Sequence, residues 1–413
     1  MRITRRSGNR RGGSSRGVVL VPALFVAFLL AGLVASFLRV LLAHTSESLA
    51  STTGLQTFYV AEAGVSAAMA EIESGKDPGG DGLGTLSDSF AEGNYQVTTT
   101  VTQPNKEWSI VSVGNLRSST RSVQAVLTAQ STSLFLKALF SGGSFDISRV
   151  AFTDSYDTRL GSYASQRVNV DPVTGVPYAH ANGDIGANAG INASGAVTII
   201  GDATPGPGYN VTKGKSVYIS GSTAPAPQPT VLPPVTYAPT TPSLGAYSLG
   251  GTKTQTLTSG TYHYSTFRTS RFAVLTCTGN VTLYVDGNFE ISGSSRLVVA
   301  AGAHVTINHG SGYWQVSGGG VANTGQNPKD FIVYSATTGH VENSGSSSFY
   351  GAIYAPASDL WLTGSSETYG SIVGGALHVT GTSNFHYDEA LADLPGLAPP
   401  TYTIQSWREI ASP

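Results

Sequence analysis

Cysteine is nearly missing from this chain: of 413 residues only Cys277 is one. That excludes an intrachain disulfide and any zinc or iron–sulfur site built on several thiolates. Charge is scarce as well. Lys, Arg, Asp and Glu make up 12% of the residues, half the ~25% of an ordinary soluble domain. A coiled coil, a helical bundle and a charged disordered chain are therefore disfavoured. Beyond residue 16 the chain holds 17 basic against 25 acidic groups, so no nucleic-acid partner is expected. Also missing are a phosphate loop ending in Lys-Ser/Thr, a His-Glu-x-x-His pair and an EF-hand loop. A Gly-x-Ser-x-Gly match at Gly13 to Gly17 has no strand ahead of it and is a chance match. What is abundant is glycine: 50 residues, about 12% against a usual ~7%. With Ser, Thr and Val in short runs, this composition points to a turn-rich, mainly β chain.

The long apolar run is Val18 to Leu38, 21 residues without a charge. As a helix it spans about 31 Å, close to the ~30 Å hydrocarbon core of a bilayer. A cleaved secretory signal has an apolar region of only ~7–15 residues, so length favours an uncleaved transmembrane helix over 17–43. Six arginines and no acid lie in the tail 1–16. That bias places the tail in the cytoplasm and the bulk of the chain outside a bacterial cytoplasmic membrane, crossed once. The helix is predicted to continue over 44–75. Ser46 to Ile72 has no proline, and Leu55, Phe58, Tyr59, Val65, Met69 and Ile72 recur mostly at intervals of three and four. Ser74-Gly75 and Asp77-Pro78-Gly79-Gly80 end it.

A partner for that stripe is predicted within 92–130, where NYQVTTTV (94–101), WSIVSV (108–113) and SVQAVLTA (122–129) read as a small antiparallel sheet. Arg16-Gly17 opening the apolar run, Phe58-Tyr59-Val60-Ala61-Glu62-Ala63-Gly64, and Arg121-Ser122-Val123-Gln124-Ala125 together resemble the N-terminal region of PilX-type minor pilins of type IV pilus systems. The resemblance covers roughly residues 10–130. It implies prepilin processing between Gly17 and Val18 and an assembly helix bearing Phe58, Tyr59, Glu62 and Gly64. It also implies membrane lipid, other pilin-like subunits and the pilus assembly machinery as partners. Major pilins carry a glutamate at the fifth residue after the cleavage glycine, and here that residue is Pro22. The resemblance thus implies a pilus-associated membrane protein rather than the main fibre subunit. Read without it, Glu62 is a solvated helix carboxylate.

Beyond Leu134 the texture changes to Gly/Ser punctuation between alternating runs. GSSSFYGAI (345–353) matches GSSETYGSI (364–372) at an offset of 19, and GTSNFHY begins 17 further on, at Gly381. A short Gly-marked period predicts a β-solenoid, a right-handed β-helix by preference, because one coil cannot bury its Val, Ile and Leu alone. A Gly-rich β-sandwich is the alternative. Seven of the 20 prolines fall between Pro225 and Pro242, which makes 222–247 a stiff, extended connector. It separates a first β block, 134–221, from the solenoid proper, 251–390, and 391–413 reads as a C-terminal tail. Tyr350 to Pro356, Tyr369 to Val373 and Phe385 to Leu391 resemble the uncharacterised β-helical domain found behind PilX-like N-termini in bacterial envelope proteins, which implies architecture and location without chemistry.

Chemistry itself is hard to find. The histidines His304 and His309 lack a third donor for a metal. Asp146, Asp154, Asp157, Asp184 and Asp202 are the carboxylates a β-helical polysaccharide lyase or hydrolase would use, yet in Gly-, Ser- and Asn-rich surroundings a short carboxylate usually caps a turn. His386, Asp388 and Glu389 read as a capping network, and Cys277 as a small buried apolar residue. No catalytic residue, cofactor or metal site is expected. Tyr262, Tyr264, Tyr313, Trp314, Trp361 and Tyr369 are candidates for a carbohydrate-stacking ledge or, equally, for coil corners. The sequence therefore predicts a non-enzymatic, membrane-anchored, minor pilin-like protein displaying a β-helical domain for assembly or surface interaction. A pilus-independent surface adhesin is the alternative, and a polysaccharide enzyme a weaker one.

Overall fold

The structure, a computed structural model, describes residues 20–103, 107–130, 133–345, 347–365, 367–397 and 400–411. It divides into two compact units, Met1–Gln130 with Thr401–Pro413, and Ser131–Pro400.

The first unit is built on one helix, α1 (Leu20–Ser74). It is long and apolar enough to cross a membrane. Every residue from 21 to 52 is exposed, so its first half has no protein partner among the described residues. Its second half lies on an antiparallel sheet of β1 (Leu86–Phe90), β2 (Gly93–Gln103), β3 (Glu107–Leu116), β4 (Ser119–Gln130) and a fifth strand from the far end of the chain, Thr401–Ile410. The segment read as a tail thus supplies the strand beside β4, with Tyr402 opposite Ala129 and Trp407 opposite Ala125.

The buried face of α1 differs from the stripe expected. Leu55 and Tyr59 are more than half exposed, whereas Thr57, Val60, Ala61, Val65, Ala68 and Ile72 are buried. The seam is made of small residues because the helix lies almost on the sheet backbone. A Cβ on Gly114 would sit 2.6 Å from Ala61 N and 2.7 Å from Thr57 O, and one on Gly64 would collide with Ser112 Oγ. Size, not hydrophobicity alone, selects the contact face.

The second unit is dominated by parallel pairing, which an antiparallel sandwich does not use. Strands pair with the third one after them: Ala246–Leu249 with Thr266–Thr269, Thr254–Leu257 with Val274–Cys277, and Gly260–Tyr264 with Asn280–Val285. Three series follow from this spacing, called ladders A, C and B in that order. The 19-residue sequence repeat is the ladder register itself, with Tyr350 opposite Tyr369 and Gly351 opposite Gly370. Elsewhere the step is longer: Asn280 lies opposite His304 and Trp314 opposite Val341. The inward positions Val281, Leu283, Phe289, Ile307, Leu360, Ile372 and Leu377 are all buried. Like stacks on like along ladder A, where Phe267, Phe289 and Trp314 lie ring on ring at 4.8 and 3.9 Å.

The two β blocks share one set of ladders, joined out of sequence order. Ile372 and Leu377 pair with Leu139 and Phe145, and Thr382–Asp388 pairs with Val150–Tyr156. Residues 139–219 therefore occupy the rungs beyond residue 388, although they come first in the chain. After Ile219 the chain returns to the opposite end of the ladders, at Ala246, through the proline-rich segment. That segment runs along the outer side of ladder B. Thr230 exchanges two hydrogen bonds with Asn188 (2.8 and 2.7 Å), the Tyr354 hydroxyl donates to Pro233 O (2.7 Å), and the Tyr237 hydroxyl donates to Asp286 Oδ1 (2.8 Å). It ends at His263, whose Nδ1 donates to Thr241 O.

Candidate functional site

In the first unit, Gly17 and Val18 lie outside the described residues. Of the assembly-helix positions, Gly64 faces the sheet, Phe58 packs at the margin of the buried cluster, Glu62 is partly exposed and Tyr59 is 52% exposed. Tyr59 lines a groove of about 510 Å³ with Leu49, Thr52, Gln56 and Phe90. The Glu92–Arg117 ion pair (3.1 Å) lies beside it.

In the second unit two of the acidic candidates, Asp154 and Asp157, meet His386, Asp388 and Glu389 on ladder C beneath an excursion of the chain, residues 157–184, while Asp146 lies on ladder A and Asp184 and Asp202 precede strands of ladder B. Asp154 is fully buried and accepts from the Tyr163 hydroxyl (2.9 Å), Ala179 N (3.0 Å) and His386 Nδ1 (2.6 Å). Asp157 holds Arg159 through both carboxylate oxygens, and that guanidinium keeps the Asp157 carboxyl below the usual carboxylate range. Asp388 accepts from Thr158 N (3.0 Å) and its hydroxyl (2.8 Å), while burial lifts its affinity for a proton. Glu389 receives Ser155, Asn182 and His180. Asp184 and Asp202 cap turns by accepting from Asp202 N and Ser222 N. These carboxylates are spent on backbone and loop donors, which ties the excursion down onto ladder C. Within the cluster, His386 Nε2 and the Tyr156 hydroxyl are buried without a partner among the described residues.

The remaining candidates disperse. His309 is buried, with Nε2 donating to Gly287 O (2.9 Å) and Nδ1 facing Ser335 Oγ (2.9 Å). Burial pushes its pKa down to about 4. His304, at the other end of the strand, is exposed and pairs with Asp330 (2.8 Å). Among the described residues no group of three metal-ligating side chains forms. Cys277 is buried, which pushes its thiol up to about 12. The aromatic candidates divide between the two readings: Trp314, Tyr264 and Tyr369 belong to buried clusters, whereas Tyr313 and Trp361 stand at the surface with part of Tyr262.

What sequence reasoning missed is a row on the outer side of ladder A. Glu290, Gln315, Glu342, Trp361, His378 and Asp146 lie opposite one another on successive rungs. Their spacing is irregular in sequence, and the last step runs backwards from 378 to 146, so no period exposes it. The row is knitted together. Gln315 Nε2 donates to Glu342 (3.4 Å), His378 faces Asp146 (3.4 Å) and stacks on Trp361 at 4.3 Å, and the Tyr313 hydroxyl donates to Glu290 (3.2 Å). Beside it, the turns 310–313 and 336–340 enclose a groove of about 380 Å³ bearing Tyr313 and His340.

Residues 210–394 match a family described as a domain of unknown function (DUF7305). No curated protein matches the chain. Among solved structures, the competence-associated pilin ComZ from Thermus thermophilus is similar at 16% identity, covering 87% of this chain and 98% of that one, with a TM-score of 0.27.

Proposed function

We propose that this chain is a membrane-anchored, type IV pilus-associated, minor pilin-like envelope protein whose second unit is a β-solenoid displayed for assembly or surface contact. The observation that carries the reading is the division of α1: a bare half from 21 to 52, apolar but for Ser36 and Arg39 as far as Ala43, and a half from Thr57 to Ile72 seated on an antiparallel sheet. A helix that is apolar all round belongs in lipid or against other apolar helices. One that then docks on its own sheet forms a stem that carries a head. The Phe58 to Gly64 motif and the Arg16-Gly17 junction favour a pilin-type stem over an unrelated anchor. The three-strand step of the parallel ladders favours a solenoid, since each turn adds one strand to each ladder. In this reading the N-terminus is cytoplasmic, lipid and other pilin-like subunits are the partners, and the protein is not an enzyme.

The test is mass spectrometry of the mature N-terminus in isolated surface fibres, with and without the prepilin peptidase. A chain beginning at Val18, found only when the peptidase is present, is the expected result. A chain that keeps Met1 and stays in the membrane fraction would overturn the pilin reading in favour of a freestanding anchored adhesin.

A further inference from the structure

The three ladders differ in what lies over them. Ladder B carries the proline-rich segment, held by Tyr237, Tyr354, Asn188 and His263. Ladder C carries the excursion 157–184, held by Asp154, Asp388 and Glu389. On ladder A the hydrogen-bond partners of the outer row, among the described residues, come from the row itself or from its flanking turns. The uncovered side is also the one with a continuous run of hydrogen-bonding side chains.

We infer that this row binds a linear, uncharged, hydroxyl-rich glycan lying along the ladder, with the groove at Tyr313 and His340 receiving part of it. Four observations select that class. At ~4.8 Å per rung, the six positions from Glu290 to Asp146 form a strip of roughly 24 Å, one side chain wide, which suits an extended polymer better than a globular partner. Trp361 is the one large apolar side chain among the six, so the row lacks the cluster of apolar anchors that centres a protein–protein contact. Three carboxylates face outward, and among the described residues Arg268 is the one permanent cation paired with them, the other two facing His340 and His378, a balance that disfavours nucleic acid and acidic polysaccharides. Finally, each carboxylate already has a donor, Arg268 and Tyr313 for Glu290, Gln315 and Thr363 for Glu342, Asn192 for Asp146. Charge is thereby locally answered while lone pairs remain to accept ligand hydroxyls. Rung-to-rung contacts also fix these side chains before any ligand arrives, which lowers the cost of ordering them. The inference does not depend on the stem entering a fibre.

The test uses the full chain in detergent and calorimetric titration with neutral hexasaccharides (cello-, xylo-, manno-, malto- and N-acetylchitohexaose), with hexagalacturonate as the anionic comparison. At least one neutral hexasaccharide is expected to bind. Glu342→Ala and Trp361→Ala should each weaken it about ten-fold or more, and Phe272→Ala, an exposed aromatic outside the row, should leave it unchanged. Asp146→Asn, a nearly isosteric change at the far end of the row, separates lost contact from misfolding. Binding of hexagalacturonate in preference, binding unaffected by the row variants, or no binding by any neutral hexasaccharide would overturn the inference.

Discussion

Deleting Pro233 and Pro234 should damage the head far more than inserting two residues at the same place. From the rung of Asn188 to that of His263, ladder B passes Leu139, Ile372, Ile353, Val333, Ile307 and Leu283. That is seven steps, about 34 Å at ~4.8 Å each. The strap covers the distance between its anchors at Thr230 and Thr241, eleven residues on. At ~3.1 Å per residue a polyproline-type strand of that length is also about 34 Å. The strap is therefore taut. Removing two residues shortens it by roughly 6 Å, more than one rung, so one end must let go. Releasing Thr230 forfeits its two bonds with Asn188; releasing the other end forfeits Tyr237–Asp286 and His263–Thr241. At ~1 kcal/mol for a neutral bond and ~1.5–3 for a charged one, the loss is about 2–4 kcal/mol, and the Tyr354 hydroxyl loses its acceptor at Pro233 O as well, about 1 kcal/mol more. Two inserted residues only slacken a loop, and even a doubling of loop length costs about 0.6 kcal/mol. Denaturant unfolding of the full chain, with hydrogen exchange at 230–245, reads both variants. Equal stability for deletion and insertion would refute the taut-strap account.

Four further outcomes follow from the same structure. His263 donates to two acceptors, Thr241 O and Asp286 Oδ1, and the Asp286 bond holds its pKa above the usual value against the cost of burial. Its stabilisation is present below pH ~6.5 and fades as pH rises through the folded-state value, so strap exchange, corrected for intrinsic rate, should rise with pH in the wild type and not in His263→Gln. His309 behaves oppositely: with a pKa pushed down to about 4, its contribution is present above pH ~6.5 and is lost on acidification, by up to about 3 kcal/mol, and urea midpoints of His309→Asn should fall less steeply with acid than those of the wild type. Gly114→Ala should cost the stem about 1–3 kcal/mol, because the new methyl meets helix backbone at Ala61 and Thr57, read as a lowered first thermal transition. Removing 401–413 strips β4 of its neighbour, the Arg121–Glu409 pair (2.7 Å) and the Trp108–Tyr402 contact; calorimetry should show the stem transition lowered and the head transition unmoved.

Local signals were readable and non-local ones were not. The helix, three stem strands and the inward residues of the ladders announce themselves by periodicity, and the repeat at 345 and 364 became paired rungs because its offset is the register. β1 was invisible because LSDSF has too little apolar alternation to mark a strand. Thr401–Ile410 was read as tail because its partner, β4, lies some 270 residues earlier, where no window sees both. The contact face of α1 was misjudged by favouring large apolar residues over Thr57, Ala61 and Gly64, which fit where backbones nearly touch. The aromatic candidates could not be divided for the converse reason: in parallel ladders, rings at equivalent rungs stack inside, as Phe289 does on Trp314, and periodicity does not tell these from the outward ones. The row on ladder A requires knowing that 146 follows 378, which only the permuted connection supplies.

That permutation and the late strand are two forms of the same device. In the stem, Gln130 and Thr401 are paired neighbours, so the entire second unit is inserted between adjacent rungs of one sheet. In the head, residues 139–219 are seated beyond 388 and cannot find their ladder neighbours within Ile372–Asp388 until those have been made. Each unit therefore pairs its last-made strand with one made much earlier, and each strand left waiting has an open edge prone to pairing elsewhere. During synthesis, strands 139–219 can pair among themselves, as Ile185–Ala187 does with Leu139–Ser141. The stem sheet can form without its fifth strand but has an open edge at β4 until Thr401–Ile410 is made. Because loop-closure cost grows only slowly with length, an intervening chain of some 270 residues still permits that late pairing.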